Sequence, residues 1–489
     1  MGAAAHSRAA HRRPCMLWKS RWVAVAALLL TSPLVTGADA AGEVAARLDQ
    51  RLSRLPRGTE IGLMVADCER DETWYASGAD RPLKPASVQK LLVTAVALDR
   101  LGPDFRFRTE LYVHDGELWV VGGGDPGLGD ERLAARGGRD AQAVLADWVA
   151  AVRARGVTAL HRVVLDDGVF DTEFRHRDWP ASQADRWYQA PVGGLNLNDN
   201  CLDVKVQVRG RNVTLQLRPD VPRDLIDSTL RVDRQQRITL KRPADMDTIQ
   251  LRGTVSRSGE LDPVAVRDPT LFFAQALKHA LEQGGVAVQG PVVRRRLTPA
   301  ELAAAQRVAV QETPLPDVLW RCNTFSQNLF AECLLKSLAA YGPGGARRDT
   351  PGSWDEGVAV LQAGLRDLGV EWNGAVLRDG SGLSHANRAT ARQLVTLLRR
   401  MRRHPHADVF LASLAEPGQE GSMRNRYDDP VLRGRVRAKT GTITGVRALA
   451  GYATRPDGTT LAFAILVNGA DNDDLPLEIC KLLLTPGDR

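Results

Sequence analysis

Residues 82–102 read PLKPASVQKLLVTAVALDRLG. Two prolines precede a stretch, 87–101, that favours a helix, and Gly102 and Pro103 then end it. Within this stretch Leu, Val and Ala recur at helical spacing and give an apolar face suited to burial. The sequence therefore predicts a helix that begins at Ser87 and packs into a core.

Ser87 and Lys90 form the pattern S-x-x-K at the start of this helix. Residues three apart on a helix share a face, so the hydroxyl and the amine can share a hydrogen bond. A lysine whose pKa is lowered by burial and by nearby cations can deprotonate such a serine. The backbone N–H of Ser87 is also among those that lack a helical partner and can face an oxyanion. Alone the pattern is weak, because serine is a common cap of helix N-termini.

Two further short motifs follow in the second half of the chain. Ser326-Gln327-Asn328 is an S-x-N, and Lys439 begins a K-T-G. Taken singly, the first is typical of a serine ahead of a helix and the second of a strand end that runs into a glycine turn. Each pattern occurs once, and the order S-x-x-K, S-x-N, K-T-G is that of serine enzymes that transfer acyl groups. Together the three motifs predict a nucleophilic serine at position 87.

The predicted secondary structure changes along the chain on either side of these motifs. Strand-like runs at 60–66 and 72–76 precede the helix, and two more at 448–454 and 460–467 close the chain. Short β-like runs fill 104–298, and helical patterns return beyond it. Strands at both ends with helices between them predict one α+β domain interrupted by a β-rich insertion. The predicted division is a signal peptide at 1–40, the two parts of the interrupted domain at 41–101 and 299–489, and the inserted module or modules at 102–298.

The first forty residues have the layout of a secretory signal peptide. Basic residues are followed by an apolar run at 22–30 and then by Ala38-Asp39-Ala40, which predicts cleavage after Ala40. The apolar run is too short to cross a bilayer as a stable helix, although an uncleaved anchor stays open as the alternative. We therefore expect a secreted, periplasmic protein without a stable transmembrane anchor.

Charge and cysteine content exclude several classes of function. The chain carries a net charge of +7, and the first forty residues, with five basic residues and one acid, supply +4 of it. The remaining +3 argues against a nucleic-acid partner. The five cysteines after residue 40 are odd in number and irregularly spaced. They predict neither a zinc cluster nor a disulfide framework, although one or two bridges stay open.

The whole mature chain resembles the low-molecular-mass class C penicillin-binding proteins, the D-alanyl-D-alanine carboxypeptidase/endopeptidase family. The resemblance rests on the three motifs and on the 239 residues that separate Ser87 from Ser326. It also rests on three further segments, Gly122-Gly-Gly-Asp-Pro126, Asp379-Gly-Ser-Gly-Leu-Ser384 and Ala438-Lys-Thr-Gly-Thr442. It implies a serine penicillin-recognising domain of the β-lactamase/transpeptidase type, interrupted after S-x-x-K by inserted modules.

The resemblance implies a role for each catalytic residue. Ser87 would attack the penultimate D-Ala carbonyl of a peptidoglycan stem peptide while Lys90 takes its proton. Ser326 and Lys439 would form a second hydroxyl–ammonium pair that passes a proton to the leaving amine. Asn328 would position the substrate amide and Lys90. No metal or organic cofactor is required, and β-lactams are the expected inhibitors.

The resemblance also implies how the substrate is held. The backbone N–H groups of Ser87 and Thr442 would form the oxyanion hole. Lys439 and Thr440, with the Thr442 hydroxyl, would hold the terminal carboxylate. Gly441 would let the strand backbone approach the substrate closely.

Two residues bear on the side chain that precedes D-Ala-D-Ala in the stem. The resemblance implies that the carboxylate of Asp125 meets the ammonium of a diaminopimelate side chain. Family members usually carry an arginine after Gly-Ser-Gly-Leu-Ser, whereas this chain has His385, which is mostly neutral at pH 7 and cannot make the same two-pronged bond. We expect a weakened preference for the diaminopimelate carboxylate, with Arg388 or another arginine taking over as the open alternative.

Two other functions stay open at this stage. A serine β-lactamase or esterase would carry the same motifs, although the length of the insertion favours a peptidase. A catalytically idle cell-wall-binding protein is the alternative from another class, although every catalytic position is filled. The expected partners are peptidoglycan stem peptides, with β-lactams as inhibitors.

Overall fold

The computed structural model describes residues 37–469 and 474–485. Within these ranges the chain forms the following α-helices, in chain order: α1 (Gly37–Leu52), α2 (Lys90–Leu101), α3 (Glu131–Arg136), α4 (Ala143–Arg153), α5 (Pro269–Gln283), α6 (Pro299–Ala304), α7 (Leu315–Thr324), α8 (Asn328–Ala340), α9 (Trp354–Asp367), α10 (Ala391–Arg402), α11 (Ala407–Ser413) and α12 (Leu475–Leu484).

The strands of the described residues are β1 (Glu60–Asp67), β2 (Thr73–Ser77), β3 (Arg106–His114), β4 (Glu117–Gly122), β5 (Ala159–Leu160), β6 (Arg162–Asp166), β7 (Cys201–Arg209), β8 (Asn212–Arg218), β9 (Ile226–Ser228), β10 (Arg231–Val232), β11 (Arg237–Lys241), β12 (Ile249–Val255), β13 (Gly259–Glu260), β14 (Val264–Ala265), β15 (Ala287–Val288), β16 (Val292–Arg294), β17 (Gln306–Pro314), β18 (Val436–Ile443), β19 (Val446–Thr454) and β20 (Thr460–Asn468).

The sheet that carries the K-T-G motif is built from both ends of the chain. Its order is β18-β19-β20-β1-β2, and all neighbouring strands are antiparallel. β1 and β2 form the hairpin predicted at 60–66 and 72–76. The pairing of β1 with β20 joins the start of the described chain to its end, and the predicted α+β fold class is confirmed.

Helices cover both faces of this sheet because successive side chains of each strand point to opposite sides. On β1, Leu63 and Val65 pack in the same cluster as apolar residues of α1 and α12. Met64 and Ala66, on the other face, pack with α2, α8 and α10. The sheet thus separates two apolar layers, and the S-x-x-K segment lies in the second of them.

The helix predicted from Ser87 starts differently from the expectation. Its first turn, Ala86–Gln89, is a 3-10 turn, and the α-helix α2 begins at Lys90. Every residue from Leu91 to Leu98 is buried, as is typical of a helix that lies at the centre of a domain rather than on its surface. The 3-10 turn therefore leads directly into a buried central helix and packs against strand β18 of the sheet.

The chain between β3 and β17 forms a second sheet with the order β16-β6-β4-β3-β17. β17 pairs with β3 along its whole length, from Gln306↔Val113 to Pro314↔Arg106. The smaller sheets formed by β7 to β14 extend from this part of the chain. The division at residue 298 stays a prediction, and because β17 completes this sheet we propose that the inserted region ends near Pro314.

Two further sequence predictions concern the N-terminus and the cysteines. Residues 1–36 of the predicted signal peptide lie outside the described residues, and the predicted cleavage point after Ala40 falls inside α1. In the part of the chain that the structure describes, no helix is both long and apolar enough to cross a membrane. The five cysteines after residue 40 are buried and free.

Candidate active site

The 3-10 turn brings the side chains of Ser87 and Lys90 together. Residues three apart eclipse each other in a 3-10 helix, which aligns them more closely than an α-helix does. Lys90 Nζ donates a hydrogen bond of 2.9 Å to Ser87 Oγ. Ser87 is partly exposed and Lys90 is completely buried. The hydroxyl therefore reaches the solvent side of the turn while the amine behind it is kept out of water.

The backbone beside two of the predicted catalytic positions is strained. Ala86, directly before the serine, has a φ of 46°, and Ser326 has a φ of 62°. The left-handed conformation costs a residue other than glycine about 1–2 kcal/mol. Such strain persists only where surrounding contacts impose it, and it concentrates at active sites. Both serine-bearing segments are therefore held in place by their neighbours.

Two more acceptors hold the amine of Lys90. Nζ donates to Asn328 Oδ1 over 2.7 Å and to the Ser381 carbonyl over 2.9 Å. Asn328 in turn donates from Nδ2 to the Tyr188 carbonyl, over 2.7 Å. The S-x-N motif thus contacts the S-x-x-K lysine directly, as expected for Asn328. The carbonyls of Ser381 and Tyr188 were not predicted, because a sequence gives no sign of where a backbone oxygen points.

Burial lowers the pKa of both candidate active-site lysines. The pKa of Lys90 falls to about 8, with desolvation as the main cause. The pKa of Lys439 falls well below its usual range, because desolvation is reinforced by the charge of Lys90. Lys90 has three acceptors for its protons, whereas the described residues give Lys439 one, the Thr440 carbonyl at 2.7 Å. Lys90 therefore holds its proton more firmly than Lys439 does.

Ser326 and Lys439 do not form the direct pair that the resemblance implied. No hydrogen bond between them occurs in the ranges 37–469 and 474–485. Ser326 lines the cleft in front of Ser87, whereas Lys439 is completely buried. Their shared role in proton transfer to a leaving group stays a prediction.

Gly441 lets strand β18 approach the candidate nucleophile. A Cβ at this position would lie 2.9 Å from the Pro85 carbonyl oxygen and 3.1 Å from the Ser87 nitrogen. Both distances are shorter than side chains normally allow, so any other residue would push the strand away from the serine. The glycine of K-T-G is therefore needed for the contact between this strand and the 3-10 turn.

The open edge of β18 presents backbone donors to the cleft. Ala438 exchanges two backbone hydrogen bonds with Ala415 on the side away from β19, at 3.0 and 3.1 Å. Because backbone groups alternate in direction along a strand, the N–H groups of Thr440 and Thr442 also point away from β19. Thr442 is exposed and lines the cleft together with Ser87. This direction is the one that an oxyanion donor at Thr442 requires.

Two buried carboxylates, Asp379 and Glu332, shape the loop that supplies the Ser381 carbonyl. Each accepts two backbone N–H groups of this loop and one tryptophan N–H. The bonds run from Gly382 N (2.9 Å), Ser384 N (2.6 Å) and Trp179 Nε1 (2.9 Å) to Asp379, and from Gly380 N (3.0 Å), Ser381 N (2.8 Å) and Trp354 Nε1 (2.8 Å) to Glu332. Burial raises the pKa of Glu332 to about 7. Sequence reasoning missed Glu332, whose one signal is an acid inside the apolar helix α8.

The cleft in front of Ser87 has a volume of about 320 Å³. The inserted region contributes four of its lining residues, and the K-T-G strand and the loop after Gly380 contribute others. Its lining consists of Ser87, Pro180, Gln183, Trp187, Tyr188, Ser326, Asn328, Gly382, Leu383, His385, Thr442, Ile443 and Thr444. These described lining residues include no Asp, Glu, Lys or Arg. The cleft therefore offers polar and aromatic groups, but no charged wall, to a bound side chain.

Asp125 does not line this cleft, which corrects the expectation that it binds substrate. Its side chain is 1% exposed, and its carboxylate accepts hydrogen bonds of 2.8 Å from the Gly127 N–H and the Thr313 hydroxyl. Burial raises the pKa of Asp125 to about 7. The residue instead holds the loop after β4 against β17. A short sequence match cannot show that the Asp125 carboxylate is directed at Gly127 and Thr313, away from the residues that line the cleft.

His385 is exposed and lines the cleft, so it lies where a substrate side chain can meet it. Burial of part of its ring and the charges of Lys84 and Arg388 lower the pKa of His385, which favours the neutral form at pH 7. Arg388 donates to the His385 carbonyl over 2.8 Å and is not among the lining residues. The described contacts therefore give no support to Arg388 as a substitute for the usual arginine.

Comparisons with known proteins agree with this architecture. The model of the D-Ala-D-Ala carboxypeptidase 3 (S13) family matches residues 44–482. The D-alanyl-D-alanine carboxypeptidase of Actinomadura sp. (strain R39) is 31% identical over 442 residues, which cover 84% of this chain and 78% of that protein. The crystal structure of penicillin binding protein 4 (dacB) from Haemophilus influenzae has a TM-score of 0.72 at 22% identity, covering 89% of this chain and 97% of the other. The same protein complexed with a β-lactam has a TM-score of 0.69 at 22% identity, covering 89% and 98%.

Proposed function

The chain belongs to the D-Ala-D-Ala carboxypeptidase 3 (S13) family, and we propose that it cleaves D-Ala-D-Ala in peptidoglycan stem peptides through an acyl-enzyme at Ser87. The observation that carries this proposal is the 2.9 Å bond between Ser87 Oγ and the buried Lys90 amine. An amine of lowered pKa at hydrogen-bond distance can take the hydroxyl proton as the oxygen attacks. The partly exposed serine in an open cleft leaves room for the peptide.

In the proposed reaction, Ser87 Oγ bonds to the penultimate D-Ala carbonyl carbon and Lys90 receives the hydroxyl proton. The amide bond breaks, the leaving amine of the terminal D-Ala takes up a proton, and an ester to Ser87 remains. Ser326 is the proposed relay: its hydroxyl, which lines the same cleft, gives a proton to that amine and takes up the one that Lys90 releases, so Lys90 is neutral again. Water then attacks the ester, its oxygen leaves with the shortened stem, and one of its protons passes through Lys90 to restore the Ser87 hydroxyl. Asn328 keeps Lys90 aligned throughout through its 2.7 Å bond.

Charge that develops on the carbonyl oxygen needs donors that are already in place. The N–H groups of Ser87 and Thr442 are the proposed pair, since Gly441 brings their two backbone segments together. Lys439 and Thr440, with the Thr442 hydroxyl, are proposed to bind the terminal carboxylate. A carboxylate bound near Lys439 would favour the charged form of that lysine and supply the positive charge that its burial disfavours.

We propose the same acylation for β-lactams, whose ring amide and carboxylate mimic those of the peptide. The leaving group of a β-lactam stays tethered after ring opening, so the acyl-enzyme persists. The complex of the H. influenzae protein with a β-lactam supports this proposal. Secretion to the periplasm is proposed from the signal-peptide layout of residues 1–40.

Release of D-Ala from a peptide ending in D-Ala-D-Ala is the experiment that tests the proposed function. A peptidase releases one D-Ala per peptide and turns over penicillin slowly. Rapid penicillin hydrolysis without release of D-Ala would indicate a β-lactamase. Binding to cell walls with neither activity would indicate an idle cell-wall-binding protein.

The rate of acylation should depend on pH through the pKa of Lys90, which lies at about 8. Only the neutral amine can accept a proton, and its population rises with pH until the pKa is passed. We expect the rate constant for acylation by benzylpenicillin to rise about tenfold per pH unit below pH 8 and to level off above it. Rates measured on the full chain between about pH 6 and pH 9.5 check this, and a flat profile across that interval would exclude a titrating lysine base.

The side chain before D-Ala-D-Ala should be discriminated weakly, because the cleft lining holds no charged residue. We expect kcat/KM for meso-diaminopimelate and lysine stems to differ by less than about tenfold, since neither ammonium nor carboxylate meets an opposite charge. His385→Arg should raise the preference for diaminopimelate, because a guanidinium can bind its carboxylate through two bonds. A diaminopimelate preference of about a hundredfold or more that His385→Ala leaves unchanged would show that position 385 has no part in selection.

A further inference from the structure

Three consecutive residues of the inserted region adopt the left-handed conformation. Asn198, Asp199 and Asn200 have φ values of 51°, 55° and 52°, and they follow one another without a glycine. Each left-handed residue other than glycine costs about 1–2 kcal/mol, and such residues occur singly as a rule. Asn and Asp tolerate the conformation best among the side chains present in proteins. A run of three therefore needs contacts that impose it.

The two asparagines lock this turn through their side chains. Asn200, completely buried, donates to the Pro191 carbonyl over 2.8 Å and accepts from the Leu197 N–H over 3.0 Å. Asn198 donates to the Cys201 carbonyl over 2.9 Å. The flanking side chains thus point back into the inserted region. Asp199, between them, is turned the other way.

Asp199 reaches across to the segment that carries the S-x-N motif. Its Oδ2 accepts a 2.6 Å hydrogen bond from Gln327 Nε2 and a 3.0 Å bond from Arg321 Nη2. Its other oxygen, Oδ1, is buried and has no hydrogen-bond partner among the described residues. A strained turn and an unpaired buried oxygen are both unfavourable, and proteins retain such features chiefly at functional sites.

Gln327 is hydrogen-bonded both to Asp199 and to Asn328, the residue that contacts Lys90. Its amide nitrogen donates to Asp199, and its Oε1 accepts a 3.0 Å bond from the Asn328 N–H at the start of α8. The Asn328 side chain then accepts the 2.7 Å bond from Lys90. Hydrogen bonds to the side chain of Gln327 and to the backbone and side chain of Asn328 therefore connect the turn 198–200 to the lysine beside Ser87.

From this set of contacts we infer that Asp199 is a positioning residue for the S-x-N motif, so that the inserted region completes the active site. Asp199 fixes Gln327, and Gln327 fixes the N–H of Asn328. Ser326, directly before Gln327, has the left-handed conformation and lies at the edge of the cleft. The inference rests on the proposed function, because its effect is on the rate at which Ser87 is acylated. It goes beyond that function because it assigns the inserted region a part in positioning the catalytic residues, in addition to lining the cleft.

The test is the acylation rate of the full chain by benzylpenicillin in variants of this contact. Asp199→Ala leaves the Gln327 amide without its acceptor, and we expect the rate to fall about ten- to a hundredfold, the effect of a small displacement of catalytic groups. Asp199→Asn keeps an amide oxygen that can accept both bonds and should stay within about threefold of the unchanged protein. Rescue by asparagine separates loss of the acceptor from loss of charge.

Asp203→Ala is the matched control. Like Asp199, Asp203 is an aspartate of the inserted region that accepts one amide and one guanidinium hydrogen bond. Its donors are Asn198, at 3.1 Å, and Arg218, at 2.8 Å, and neither belongs to α7 or α8. Its loss should lower the melting temperature while leaving the acylation rate of the folded protein within about threefold. A merely structural role of Asp199 would make Asp199→Ala behave in the same way, which would overturn the inference.

A double-mutant cycle tests the route through Gln327. Gln327→Ala alone should slow acylation about as much as Asp199→Ala, and adding Asp199→Ala to it should change the rate no further. The inference would be contradicted by an unchanged acylation rate in Gln327→Ala, or by independent effects of the two substitutions on that rate. The rate of Gln327→Ala can be measured even if Asp199→Ala does not fold. Failure of the proposed function is distinct, because the unchanged protein would then not be labelled at Ser87 at all.

Discussion

Replacing Ser87 with alanine is expected to abolish covalent labelling by penicillin and hydrolysis of D-Ala-D-Ala peptides. The substitution removes the only atom that can carry the acyl group in the proposed reaction, and it leaves Lys90 with its bonds to Asn328 and Ser381. Fluorescent penicillin followed by gel electrophoresis measures the labelling, and release of D-Ala measures the hydrolysis.

Ser182→Ala is the control for the Ser87 variant. Ser182 is an exposed serine of the inserted region, next to the cleft residue Gln183 but not itself part of the lining. This variant should be labelled like the unchanged protein. Labelling that persists in Ser87→Ala would move the nucleophile to another residue.

Replacing Lys90 with arginine is expected to lower the acylation rate by about a hundred- to ten thousandfold, the usual contribution of a general base. A guanidinium stays protonated at every accessible pH, so the positive charge remains while the base is lost. The buried site that holds the amine against Ser87, Asn328 and Ser381 also has little room for the larger group.

Lys90→Met removes the base without enlarging the side chain, and it should slow acylation to a similar degree. Thermal unfolding of both variants shows whether they fold. The rise of the rate with pH should also disappear in Lys90→Met, because no titrating base remains. Near-normal acylation by a folded variant of either kind would remove Lys90 from the mechanism.

The sequence predicted the parts of the site that depend on short spacing. Ser87 and Lys90 are three residues apart, and the structure places their side chains 2.9 Å apart. The contact of Asn328 with Lys90 and the close approach of β18 at Gly441 were also predictable. Each depends on the residue type at one position of a motif. The hairpin of β1 with β2 was predictable for the same reason, since alternation along neighbouring strands is a local signal.

The parts that the sequence could not predict depend on distant contacts or on backbone groups. The Ser381 and Tyr188 carbonyls accept hydrogen bonds from Lys90 and Asn328 only in the folded chain. The residue type at a position does not predict such a contact, because every residue has a backbone carbonyl. Asp125 was assigned to the substrate from the resemblance of its segment to the family, and its contact with Thr313 depends on where the pairing of β3 with β17 places that strand. The end of the inserted region was set at residue 298, where helical patterns return in the sequence, and that boundary stays a prediction.

The contact between Asp199 and Gln327 is the clearest case of this kind. The two residues are 128 positions apart, and neither belongs to a sequence pattern that predicts chemistry. Three left-handed residues in a row could not be foreseen either, because Asn and Asp are as common in ordinary turns. Such contacts can be found only after the fold has brought the segments together.

Mass spectrometry of the full chain after reaction with benzylpenicillin tests the central claim most directly. Proteolysis of the labelled protein and fragmentation of its peptides locate the penicilloyl group on one residue. The account predicts a single adduct on Ser87, formed more slowly as the pH falls below about 8. An adduct on any other residue, or no adduct in a protein that releases D-Ala, would contradict it.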